Sequence, residues 1–152
     1  MTRITRIMVP TDFSPASDAA LEYARALASE FGASIDLAHV FDDSFTSGAF
    51  VGDGTVMMPV ELRESLVNWV REQLEQRHAG HPNTLSASST VLLMGAPAKR
   101  IVEHARETHA DLIVMGTHGR SGLSHLLLGS VAERVVRTAT CPVLTWRGPA
   151  SA

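Results

Sequence analysis

An α/β fold with a parallel sheet covered on both faces is what this sequence predicts, on three observations. Short apolar runs of strand length alternate with longer stretches whose apolar residues recur at helical spacing. No repeat, low-complexity tract or linker interrupts the alternation across 152 residues, a length that suits one domain with a full core. Residues 116–130 are studded with glycine and lie between a strand-like run, Leu112-Ile113-Val114-Met115, and a helix-like one, Val131-Ala132-Glu133-Arg134-Val135-Val136. In an α/β fold that is where backbone N–H groups and a helix N-terminus are presented to an anion.

Each element has its own local cause. Residues 4–9 read as the first strand, ending at Pro10-Thr11-Asp12. Ser14 has the character of an N-cap, with Pro15 at the first helical position, where a missing N–H costs nothing. The helix that follows carries Ala20, Ala24, Leu27 and Phe31 on one face, and Gly32 stops it. Residues 34–41 are the second strand; Ile35 and Leu37 alternate with Ser34 and Asp36 before the run Ala38-His39-Val40-Phe41. Residues 42–58, with Gly48, Gly52 and Gly54, read as a long polar connection of the kind used as a lid or flap.

Pro59 opens a second helix that turns Leu62, Leu66, Trp69, Val70 and Leu74 toward the core. A turn at Gly80-His81-Pro82-Asn83 leads to a third strand over residues 86–93. Gly95-Ala96-Pro97 starts a helix that buries Ile101, Val102 and Ala105. Residues 111–115 are the fourth strand. Residues 130–138 are the fourth helix, whose Ser130 and Glu133 have the spacing of a capping box. Val143-Leu144-Thr145-Trp146 is the fifth strand. Five strands alternating with four helices place a parallel sheet between two helical layers. Residues 1–147 make one domain and 148–152 a tail.

Composition narrows the function. Apolar residues are 45% of the chain and charged ones 19%, with a net charge of −3 and no basic cluster, so nothing suggests general binding to nucleic acid or an anionic membrane. No apolar run approaches the roughly 18 residues of a membrane span, and the N-terminal one is too short for a signal peptide. Cys141 is the one cysteine, so no intrachain disulfide forms, and beside Pro142 it reads as a small apolar residue rather than a reactive thiol. Together these features point to the cytoplasm. Among the histidines, His104 and His109 are five apart and share no helix face, and His118 and His125 have no Cys or carboxylate at zinc-like spacing. No protein-built metal site is expected.

In a sheet of this kind ligands bind beyond the carboxyl ends of the strands, where strand order reverses. The tips concerned are Pro10-Thr11-Asp12, Val40-Phe41, Gly95-Ala96-Pro97 and Met115-Gly116. Periodicity does not give the strand order. The spacing G-x-x-G-x9-G-[S/T], met at Gly116, Gly119, Gly129 and Ser130, resembles that of the universal stress protein family, in its ATP-binding branch. The resemblance continues through Val9-Pro10-Thr11-Asp12-Phe13-Ser14, the Gly95-Ala96-Pro97 turn, Ala110 to Gly119, and Leu128-Gly129-Ser130-Val131-Ala132-Glu133-Arg134-Val135. Residues 42–58 and the tail look individual.

The resemblance implies a single open, doubly wound, Rossmann-like sheet of five parallel strands in the order 3-2-1-4-5. Its switch point, between the first and fourth strands, would set Asp12 opposite the Gly116 loop. By the same resemblance Asp12 and Val40 line an adenine and ribose pocket. Amides of Gly116, Thr117, His118, Gly119 and Arg120, with Gly129 and Ser130, hold phosphates. Pro10, Thr11, Met115 and Val131 complete the candidate nucleotide-binding set. The implied ligand is ATP. Its own phosphates would carry any Mg²⁺, and Asp42, Asp43 and Asp53 in the lid-like loop either approach that ion or are solvated loop carboxylates. A homodimer through the last strand and an unidentified regulatory partner are implied as well.

Read from the residues alone, several of these have a plainer alternative. Asp12 is either a carboxylate accepting from ribose hydroxyls or a turn residue and early helix cap. His118 and Arg120 either neutralise phosphate or are solvated loop side chains. Leu126-Leu127-Leu128 either packs under the loop or meets another subunit. For function, the resemblance implies a nucleotide-dependent stress-response regulator, with no catalytic residues expected. The alternative is a weak ATPase or autophosphorylating enzyme using His118, Arg120 and Ser124. Against it, the chain has no G-x-x-x-x-G-K-[ST], no lysine in the glycine loop, and no evident base–nucleophile pair.

Overall fold

In chain order the computed structural model runs β1 (Arg6–Pro10), α1 (Pro15–Phe31), β2 (Ser34–Phe41), β3 (Ala49–Val51), β4 (Gly54–Val56), α2 (Val60–Ala79), β5 (Ser89–Met94), α3 (Pro97–Glu107), β6 (Leu112–Gly116), α4 (Ser130–Thr138) and β7 (Val143–Trp146). It describes residues 3–42, 49–51, 54–56, 58–79, 88–117 and 128–147. Five strands form one parallel sheet in the order β5-β2-β1-β6-β7. Counting those strands alone, this is the expected order 3-2-1-4-5, with reversal of direction across the sheet on either side of β1.

Both faces are covered, and alternation along the strands divides the core in two. Ile7 and Val9 of β1, Ile35 and Leu37 of β2, and Leu112 and Val114 of β6 pack with α1 and α2. Met8, Ala38, Ile113 and Met115 point the other way, onto α3 and α4. The helix α1 starts as its sequence dictates: Ser14 Oγ accepts from Ser17 N–H, Pro15 is in the first turn, and Gly32 ends the helix at φ 67°. Its buried stripe is Ser17, Ala20, Leu21, Ala24 and Ala28. The expected Phe31 stands 42% exposed. It falls on the last turn, where little sheet remains beneath it, since β2 begins only three residues on.

The helix α2 corrects a larger expectation. Val70 and Leu74 are buried and Leu66 is half-buried, but Leu62 and Trp69 are 49% and 43% exposed. This helix covers β2 and the edge strand β5, so its first half overhangs the sheet. In α3 the buried residues are Ala98, Ile101 and Ala105, with Val102 half-buried. The connection expected over 42–58 holds an antiparallel hairpin, with Phe50 opposite Thr55. The third strand begins later than expected, at Ser89. The Gly80-His81-Pro82-Asn83 turn and the tail lie outside the described residues.

Asp36, placed by alternation with the polar residues, is 3% exposed, because this sheet has no wet face. It is paired: the Ser89 hydroxyl donates to it at 2.8 Å and the Arg6 guanidinium lies 3.6 Å away. Nearby, Asp111 Oδ2 accepts from Thr5 N–H and Thr5 O–H, both at 2.8 Å, and from Arg6 N–H at 3.0 Å. The Thr5 backbone N–H is the main reason that this carboxyl titrates below the usual aspartate range. These contacts close the amino end of the sheet. The crevice opens at the other end. Among the described residues, no helix is long and apolar enough to cross a membrane.

Candidate functional site

The carboxyl ends of β1, β2 and β6 and the start of α4 enclose a cleft of about 280 Å³. From β1 and the turn after it come Pro10, Thr11 and Asp12; from β2, Ala38, His39 and Val40; from β6 and just beyond, Met115, Gly116 and Thr117. Gly129, Ser130, Val131 and Ala132 close it from α4, Pro97 and Ile101 from α3, and Ser17 from α1. The described residues of the candidate nucleotide-binding set thus line one cleft, and Asp42, offered for the ion on the phosphates, is not among its lining residues. His118, Gly119 and Arg120 lie outside the described residues, as do Asp43, Asp53, His125, Leu126 and Leu127. Ser17, Ala38, His39, Ile101 and Ala132 were not singled out as site residues. His39 did carry a signal, a polar residue in an apolar run at a strand tip.

On the β1 side a tight set of polar contacts shapes the turn into α1. Asp12 Oδ1 accepts from Ser14 N–H at 3.0 Å, so the turn role of Asp12 is realised. A carboxylate has acceptor capacity beyond one such bond, and a ligand role remains compatible with it. Thr11 Oγ1 accepts from Phe13 N–H at 3.0 Å and lies 3.1 Å from Ser17 Oγ. Phe13 has φ 65°, in the left-handed region. Its ring stacks on His39 at 4.6 Å, lies under the Arg77 guanidinium at 4.9 Å, and meets Trp69 edge-on. His39 Nδ1 is 2.8 Å from Thr11 O.

On the β6 side the chain leaves the sheet through Thr117, 5% exposed. Its N–H donates to Trp146 O at 3.0 Å and its carbonyl accepts from Gly129 N–H at 2.7 Å, which ties the strand tip to the start of α4. The capping box does not form. Gly129 is the N-cap, Ser130 is the first helical residue, and no side chain among the described residues caps the helix. The Glu133 carboxylate turns instead to Arg137, at 2.8 Å one helical turn on. Gly129, with ψ 150°, supplies the extended cap geometry one residue earlier than the S-x-x-E spacing suggests. The start of α4 lies at the cleft, and among the described residues no side chain caps its leading N–H groups.

Other candidates settle into the core. Leu128 and Cys141 pack against the α3–α4 layer, and burial pushes the Cys141 thiol up. Among the described residues no three His, Cys, Asp or Glu gather where they could hold a metal ion.

Comparison with known proteins agrees with this architecture. The profile of the Universal stress protein family matches residues 3–147. Universal stress protein MJ0531 of Methanocaldococcus jannaschii is 38% identical over 149 residues, 95% of this chain and 82% of that one. The solved structure of MJ0577, from the same organism, superposes with a TM-score of 0.81 at 27% identity, covering 99% of this chain and 100% of its own. A universal stress protein crystallised in complex with cAMP superposes with a TM-score of 0.66 at 25% identity, over 96% of this chain and 98% of its own.

Proposed function

This chain belongs to the universal stress protein family, and we propose that it is a nucleotide-dependent regulator that holds ATP in the cleft between β1 and β6. The observation that carries the reading is the uncapped start of α4, which opens into that cleft opposite Asp12. A helix N-terminus carries about half a positive charge and free N–H donors, which suit a phosphate.

In this reading Val40, Ile101 and Val131 supply an apolar wall for the base. Asp12 accepts from ribose hydroxyls. The amides of Ser130 and Val131, at the start of α4, hold the phosphates, and Mg²⁺ rides on the phosphate oxygens. A related universal stress protein in complex with cAMP supports an adenine nucleotide as the ligand class. The sheet ends at β7, which pairs on one side with β6. Its other side is the surface through which two copies associate, and a protein partner reads the occupied state in the cytoplasm.

Mass spectrometry of small molecules released from freshly purified protein, with calorimetry of the emptied protein against Mg-ATP, tests the reading. An adenine nucleotide and a measurable heat are expected. Neither appearing would overturn it.

A further inference from the structure

We propose that His39 is a positioning residue of this site: its Nδ1–H holds the Thr11 carbonyl, beside a Phe13 ring that packs against the imidazole and the Arg77 guanidinium, so that the turn carrying Asp12 is set before a ligand arrives. What the turn is set to meet rests on the nucleotide reading above. The β1–β2 ladder closes where Thr11 N–H donates to Ala38 O at 2.8 Å, and the Thr11 carbonyl then takes the imidazole at 2.8 Å. A carbonyl only accepts, so Nδ1 carries the proton. Thr11 is 6% exposed, so loss of that donor removes the partner of a carbonyl in a mostly buried residue and favours a shift of the turn.

The same ring faces Phe13, a non-glycine residue in the left-handed region. Such a conformation persists where its surroundings over-determine it. Here the imidazole lies on one side and the Arg77 guanidinium 4.9 Å from the ring centre, itself held by Asp18 at 2.6 Å. The residue before Phe13 is Asp12 and the one after is Ser14, the cap of α1. His39 thus acts on the ligand-facing carboxylate through the backbone on its own side of the cleft.

Three variants separate donor from ring. His39→Asn keeps an N–H near the Nδ1 position and drops the ring. His39→Phe keeps a ring and drops the donor. His39→Gln carries its N–H near the Nε2 position and stands in if the Phe variant does not fold. Hydrogen exchange of the Phe13 and Ser14 amides in the ligand-free protein reads the turn, and calorimetry with Mg-ATP reads the site. Loss of one buried hydrogen bond should weaken ATP binding about five- to tenfold in His39→Phe and His39→Gln and hold His39→Asn within about twofold. The two amides should exchange faster in the first pair alone. Wild-type exchange and affinity in His39→Phe or His39→Gln, or an Asn variant as weak as those two, would overturn the proposal. No heat from the wild type would sink the nucleotide reading, and the exchange rates would still decide whether His39 sets the turn.

Discussion

Gly116 abuts Ala16: a methyl group on Gly116 would stand 3.0 Å from the Ala16 carbonyl carbon and 3.1 Å from its oxygen. The last residue of β6 is therefore pressed against the first turn of α1, and glycine is required there for close approach. A Cβ could be admitted only by moving helix backbone. Gly116→Ala should destabilise the ligand-free protein by about 1–3 kcal/mol, the usual range for overpacking. Urea denaturation would show a lower midpoint with an unchanged slope. An unshifted midpoint would mean that α1 yields more easily than this contact allows. A loss of ligand by this variant reports on α1 as much as on a phosphate contact.

Asp111 gives the fold a pH dependence with a definite sign. Its folded-state value is lowered, chiefly by the Thr5 N–H, from an unfolded value of about 3.9. A depressed carboxyl contributes stability that is complete above the unfolded value and is lost as pH falls through the folded one. Asp111→Asn should cost about 1 kcal/mol at pH 7, because the charged acceptor of three donors is replaced by a neutral one. The gap between variant and wild type should close below pH 4. A gap that stays constant from pH 7 to pH 3 would contradict the assignment.

Where the sequence was legible, the cause was local chemistry. Ser14-Pro15 and Gly32 mark the ends of α1 because a cap, a missing N–H and a left-handed turn are each set by one residue. The strand tips of the cleft were legible for a different reason: a parallel sheet offers its ligand edge at one end only. What could not be read depends on width and neighbours. Leu62 and Trp69 have the right period, but whether a stripe is covered depends on how much sheet lies beneath it. Asp36 follows the alternation of a half-wet strand, which both helical layers cancel. Phe50 pairs with Thr55, and in the sequence alone the dipeptide Gly52-Asp53 is a hairpin signal, set within a connection whose polar, glycine-bearing composition reads as a loop. His39 stands out as a polar residue in an apolar run, but no spacing announces that it holds the Thr11 carbonyl, nor that Ser17 meets Thr11.

The two serines at helix starts make a matched test of the missing capping box. Ser14 Oγ accepts from Ser17 N–H at 3.2 Å, whereas Ser130 is the first residue inside α4 and is exposed. Ser14→Ala should therefore cost about 1 kcal/mol, and Ser130→Ala no more than about 0.5 kcal/mol. Thermal or urea unfolding of the ligand-free variants decides it. Equal losses would restore Ser130 as a cap.

The free side of β7 can be assigned residue by residue. Ile113 N–H donates to Pro142 O and Thr117 N–H to Trp146 O, both at 3.0 Å. In a parallel ladder the N–H and C=O of one residue point the same way, and successive residues alternate. Pro142, Leu144 and Trp146 therefore face β6, and the backbone groups of Val143 and Thr145 point away from the sheet. If two copies join along this edge, Thr145 is where a proline should break the pairing and spare the ladder to β6. Thr145→Pro should sediment as a monomer where the wild type is a dimer, with an unfolding midpoint lowered by about 1 kcal/mol or less, since no β6 bond is lost. A variant that remains dimeric would move the interface off this edge, and a monomeric wild type would remove the dimer itself.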